Sequence, residues 1–149
     1  MTKLFAAEEI AEILREFGCH AESISRLNDE QSQVHSRAGG IAWQVLLPGG
    51  PPFHTEMLVR VPLWVGGEPF RWANDWNRQR SSQAFAVHEG DSNRPMSNGQ
   101  KFLIGIESFL SFGFGVDDEY VERFLRWWIA EVQHLRTLPN VEFFEKLPL

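Results

Sequence analysis

The sequence is short of the residues that mark disulfide-held, nucleic-acid-binding or membrane proteins. Its single cysteine, Cys19, has no partner for an internal disulfide, so the fold must rest on its core. Lysine and arginine number 14 against 20 aspartates and glutamates, for a formal net charge of −6 and a pI near 5.3. Nucleic-acid binders neutralise phosphates with clustered cations. Here the densest basic stretch, Arg71, Arg78 and Arg80, is interrupted by Asp75. Nucleic acid and other polyanions are therefore disfavoured as partners, while a neutral or basic protein partner stays open. The uncharged stretch Phe109–Val116 falls far short of a membrane span. Met1–Ala7 offers one lysine and no long apolar region, so no secretory leader is expected. The expected setting is the cytoplasm, with no membrane contact.

Catalytic and metal-binding patterns are missing too. None of the five histidines (His20, His35, His54, His88 and His134) has a second ligand at a recognised metal spacing. His54 is expected on the wet face of a strand. Cys19 follows a helix C-terminus, where nothing lowers its pKa, and reads as a small buried side chain. There is no G-x-S-x-G. Gly113-Phe114-Gly115 mimics the start of a dinucleotide loop, but Asp118 stands where the third glycine belongs, and acids at that helix mouth would repel a pyrophosphate. No catalytic, metal or cofactor residue is expected.

What the sequence does hold is enough apolar matter for one core: 43% of 149 residues are hydrophobic and 13% aromatic. Folding at this mass buries roughly 69% of the unfolded chain's surface. One domain over 1–149 is expected, with a short apolar tail over 139–149. Ile10, Ile13, Leu14 and Phe17 have helical spacing, and Gly18 suits a left-handed C-cap. Strands are predicted at Ala21–Leu27, weakly at Gln33–Arg37, at Ile41–Leu47 and at His54–Val61, with Gly39-Gly40 as a hairpin turn. Pro69 marks the start of a second helix on which Phe70, Ala73, Trp76 and Asn77 share one side. Gln83–His88 reads as a strand, and Phe102, Ile104, Ile106, Leu110, Phe112 and Phe114 form one face of a longer one. Asp117 caps a last helix whose stripe is Val121, Phe124, Leu125, Trp128, Val132 and Leu135, while acids such as Glu131 belong to its wet face. The order α-β-β-β-(β)-α-β-β-α, with hairpin-length connections, predicts an α+β fold: an antiparallel sheet of five to six strands covered by helices.

Six tryptophans are a surplus. Trp127 and Trp128 are adjacent on a helix, about 100° apart, so either a wide stripe buries both or one faces a partner. Trp72 lies off the side that Trp76 shares with Phe70 and Ala73. Trp72 and Trp127 are thus the candidate interface residues, with Trp72 the expected anchor of a homodimer. Asn74, Trp76, Asn77 and Arg78 form a candidate structural motif, because asparagine is costly inside a helix unless it fastens a loop or helix end.

The block Ala73-Asn74-Asp75-Trp76-Asn77-Arg78, then Gln83-Ala84-Phe85-Ala86-Val87, then Gly115-Val116-Asp117-Asp118-Glu119 leading to Phe124-Leu125, resembles the YbjN-type proteins. The resemblance covers roughly Ser36 to Glu145 and implies a sensory-transduction regulator with a fold like that of type III secretion chaperones. Such proteins are small, acidic, commonly dimeric and bind other polypeptides. Gln83, Trp127-Trp128 and the Pro-Gly stretch at 48–52 depart from the family pattern, and the family supplies no catalytic residues to carry over. The expected function is a non-enzymatic regulatory or chaperone-like module that binds itself and another protein. The alternative is a small-molecule sensor or enzyme with a pocket between sheet and helices, and with Asn74, Asn77 or Arg78 at its mouth.

Overall fold

The computed structural model describes residues 3–24, 31–48, 54–86, 101–113 and 115–147. It contains helices α1 (Ala7–Glu16), α2 (Pro69–Gln79) and α3 (Asp118–His134), the last running into a 3₁₀ turn. The strands are β1 (His20–Ile24), β2 (Gln31–Ala38), β3 (Ile41–Pro48), β4 (Glu56–Gly66), β5 (Gln83–Ala86), β6 (Lys101–Ser111) and β7 (Val141–Phe143). All ladders among the described residues are antiparallel, in the order β1-β2-β3-β4-β6-β5, with β7 also on β4. The class is α+β, as the sequence pattern predicts. Residues 25–27, 87–90 and 114, which that pattern assigns to strands or loop, lie outside the described residues.

Each helix starts where a carboxylate can reach the free N–H groups of its first turn. Glu9 reaches back to the N–H of Ala6 (3.0 Å), so α1 needs no Ser or Asp in front of it. Asp117 accepts from the N–H of Tyr120 at 2.9 Å and caps α3. Ile10, Ala11, Ile13 and Leu14 of α1, then Val121, Leu125, Trp128 and Val132 of α3, are buried against one face of the sheet. That face presents Trp43, Val45 and Leu47 of β3, Met57 to Val65 at alternate positions of β4, and Ile104, Ile106 and Leu110 of β6. Trp43 and Trp128 meet edge to face at 6.2 Å, at the centre of this core.

The structure departs from the sequence pattern in two strands. β4 does not stop at Val61; it continues through Pro62 to Gly66. Its Leu58–Arg60 segment pairs with β3, and its Leu63–Val65 segment pairs with β7. Pro62, which has no N–H to donate, stands where one partner is exchanged for the other. The seventh strand is the apolar tail, and a three-residue strand is too short for alternation to announce it. The N–H of Ala42 donates to the carbonyl of Phe144 at 2.9 Å, so the tail lies between the diverging ends of β3 and β4. His54 is a further correction. It precedes β4, bridges to Phe5 and is 1% exposed, with its ring shared between the Pro48 carbonyl and the Ser32 hydroxyl.

Candidate functional site

The helical layer carries the residues the sequence singles out, and α2 carries most of them. Glu68 accepts from the N–H groups of Phe70 (3.0 Å) and Arg71 (2.6 Å), and Pro69 fills the first helical position. At 100° per residue, Ala73 and Trp76 centre the buried side, with Trp72 on one flank and Asn77 on the other. Phe70 does not join them. It sits about 90° from the buried direction and is 53% exposed.

Trp76 anchors a polar clip between α2 and α3. Its indole N–H donates to the Ser82 hydroxyl at 3.0 Å, and Ser82 donates to Glu131 at 2.8 Å. Arg80 pairs with the other oxygen of Glu131, and its guanidinium lies 5.5 Å from the centre of the Trp76 ring. Glu131 is therefore buried, at 5% exposure, rather than part of the wet face of α3. The signal for this was present: Glu131 follows Trp128 by three residues and precedes Leu135 by four, which places it on the edge of the apolar stripe.

Asn77 makes a second fastening. Its amide donates to the carbonyl of Ala84 (3.0 Å) and accepts the N–H of the same residue (2.6 Å), holding the edge strand β5 to α2. Asn74 is exposed and has no hydrogen-bond partner among the described residues. Arg78 pairs with Asp75 on the surface. An open hollow of about 620 Å³ runs along the outer side of α2 and brings Asn74, Asn77 and Arg78 together with Phe70 and Arg71.

The two candidate interface residues belong to separate aromatic clusters. Trp72 lies parallel on Trp76 at 5.6 Å, and Trp76 in turn meets His134. Trp127 packs on Phe124 at 5.7 Å and on the fully buried Trp128. The stripe of α3 thus buries one of the adjacent tryptophans and leaves the other partly exposed. Trp127 follows Phe124 by three residues and precedes Glu131 by four, so the aromatic flank of α3 is the one that meets α2.

Among the described residues, no three His, Cys, Asp or Glu side chains are grouped to hold a metal. None of the described helices is long and apolar enough to cross a membrane. Burial raises the Cys19 thiol above its usual range, against a weaker opposing hydrogen bond from Ser36. The family model YbjN, "Putative bacterial sensory transduction regulator", matches residues 6–137. The match takes in α1, which the sequence resemblance leaves out, and stops before β7. No curated protein matches the sequence.

Proposed function

The chain belongs to the YbjN family, and from that membership we propose that it is a non-enzymatic regulator that works in the cytoplasm by binding another polypeptide through its helical layer. The observation that carries this reading is the pair Trp72 and Trp127. Each is partly exposed and touches a buried tryptophan, Trp72 stacked flat on Trp76 and Trp127 tilted against Trp128. Rigid aromatic side chains offer contact area at little entropic cost, and tryptophan is enriched at binding hot spots. The net charge of −6 favours a neutral or basic segment as the bound partner.

The experiment is capture of partners from the native cell with the wild type and with the double variant Trp72→Ala/Trp127→Ala. A specific protein should be enriched by the wild type and reduced about tenfold or more by the double variant, with the far-ultraviolet circular dichroism spectrum unchanged. Equal recovery of every protein by the two baits would defeat the reading.

One observation favours a second reading, a sensor of a small molecule. The hollow along α2 brings Arg71 and Arg78 together with Glu68, Asp75 and Asn74, a lining that carries both signs of charge. A small molecule carrying both charges, such as a free amino acid, that raises the melting temperature of the wild type, but not of Arg71→Ala/Arg78→Ala, would support it.

A further inference from the structure

All three helices pack on one face of the sheet, and no helix among the described residues covers the opposite face of β4, β6 and β5, where Phe109 is exposed and Leu58, Arg60 and Glu107 are half-buried. Register arranges that face in rows. Leu58 stands beside Phe109, Arg60 beside Glu107, Pro62 beside Gly105, and Trp64 beside Leu103. Phe109 is 54% exposed, and Phe85 of β5, 36% exposed, lays its ring over Gly105. The charged row is a close pair, with Arg60 Nη2 3.0 Å from a Glu107 oxygen, and it lies between apolar rows on both sides. At its Trp64 end the face is bordered by the tail, where Phe144 stacks on Trp64 at 5.7 Å, and at Leu58 and Arg60 it continues onto β3.

We propose that this face is a contact between two copies of the chain, packed sheet to sheet about a two-fold axis that lies between β4 and β6 and runs along them. The reason is that the face is complementary to itself under that rotation. The axis sets β4 of one copy over β6 of the other without shifting the rows. Leu58 then meets Phe109 of the partner subunit, Trp64 meets the partner's Leu103, and Arg60 meets the partner's Glu107, each twice over. Every carboxylate of the charged row gains a second guanidinium, and no like charges are opposed. Gly105, under the flat Phe85 ring, keeps the middle of the face low enough for two sheets at their usual spacing of about 10 Å.

The area is modest. Four rows across three strands make about 25 by 15 Å, and side-chain relief brings this to about 500 Å² per copy, or about 1,000 Å² for both. That is at the lower bound for a specific interface, so the association is reversible and shows itself in the micromolar range or above. The contact is independent of the regulator reading, since it leaves the helical layer of both copies free.

Sedimentation velocity on the full chain, from low micromolar to submillimolar concentration, tests the proposal. The wild type should pass from the mass of one chain to that of two as concentration rises. Phe109→Arg should weaken this by about tenfold or more, with unchanged melting temperature. Arg60→Glu and Glu107→Arg should each be monomeric alone, yet associate when mixed, because one then presents two acids to two arginines of the other. A merely intrachain role for the pair produces no such rescue. A wild type that stays monomeric throughout overturns the proposal. So does a dimer indifferent to Phe109→Arg, a mixture that stays monomeric, or a face that binds only a different protein.

Discussion

Gly105 is a glycine because of its neighbour across the strands. A β carbon there would stand 2.8 Å from one ring carbon of Phe85 and 2.9 Å from another. Gly105→Ala should therefore push the ring outward and cost about 1 kcal/mol. In a Phe85→Ala background the same change should stabilise by about 0.5–1 kcal/mol, since alanine suits a strand better than glycine. Urea unfolding of the four proteins would show this reversal of sign, and additive effects would mean that the ring lies elsewhere. Glu131 is the other residue whose surroundings decide its worth. Glu131→Ala strands Ser82 and Arg80; because Arg80 is 30% exposed, the expected loss is about 2–3 kcal/mol, below that of a fully buried pair. Glu131→Gln, which keeps an acceptor for Ser82, should lose less in the same unfolding experiment.

At the scale of elements, α2 and β5 stand or fall together. Asn77→Ala removes both bonds to Ala84 and should cost about 1–2 kcal/mol, with amide exchange quickening in β5 well before it does in β4 or β6. Helix α1 is tied instead by ion pairs. Hydrogen bonds from Arg15 and Ser23 hold Glu8 below the ordinary carboxylate value of 4.5. Burial pushes Glu9 up, but Lys3 and the Ala6 N–H more than offset it, so Glu9 too is lowered. A carboxylate lowered in the folded state stabilises it above its unfolded pKa and loses that contribution as pH falls through the folded value. Protection of the α1 amides, taken relative to their intrinsic exchange rate at each pH, should therefore fall selectively as pH drops below 4.5, and a uniform loss of protection across the sheet would refute the assignment. Both helix starts with acidic caps, at Glu68 and Asp117, sit where Pro69 and the Asp117-Asp118-Glu119 run place them. The task of Asn77 was not visible in the same way. It depends on where β5 lies, a distance between elements that no local pattern encodes.

On the scale of the whole molecule, the order of helices and strands up to α3 was legible because each has its own period, cap or turn. The α+β class followed from that order. What escaped were features set by long-range pairing: β4 beyond Pro62, β7, the burial of His54 and that of Glu131. Proline argues against a central strand when read locally, and only the exchange of β3 for β7 makes Pro62 acceptable there. Ending the chain after Pro139 tests how much that exchange matters. It removes β7 together with Phe144 and the buried Leu147, and should lower the melting temperature by about 5–10 °C. A melting temperature unchanged by the truncation would make the tail a passenger.

The place of β7 also sets a timetable for the newborn chain. Translation delivers all of β4 long before Val141–Phe143 exist. Until β6 is made neither edge of the Leu63–Val65 segment is paired, and while α3 is made the edge that β7 will fill stays open. Such an edge is a template for any extended segment that passes, including the same segment of a neighbouring polysome product. The interval between synthesis of β4 and arrival of β7 is thus the time when this edge is open to mispairing, and in the finished sheet β7 closes it.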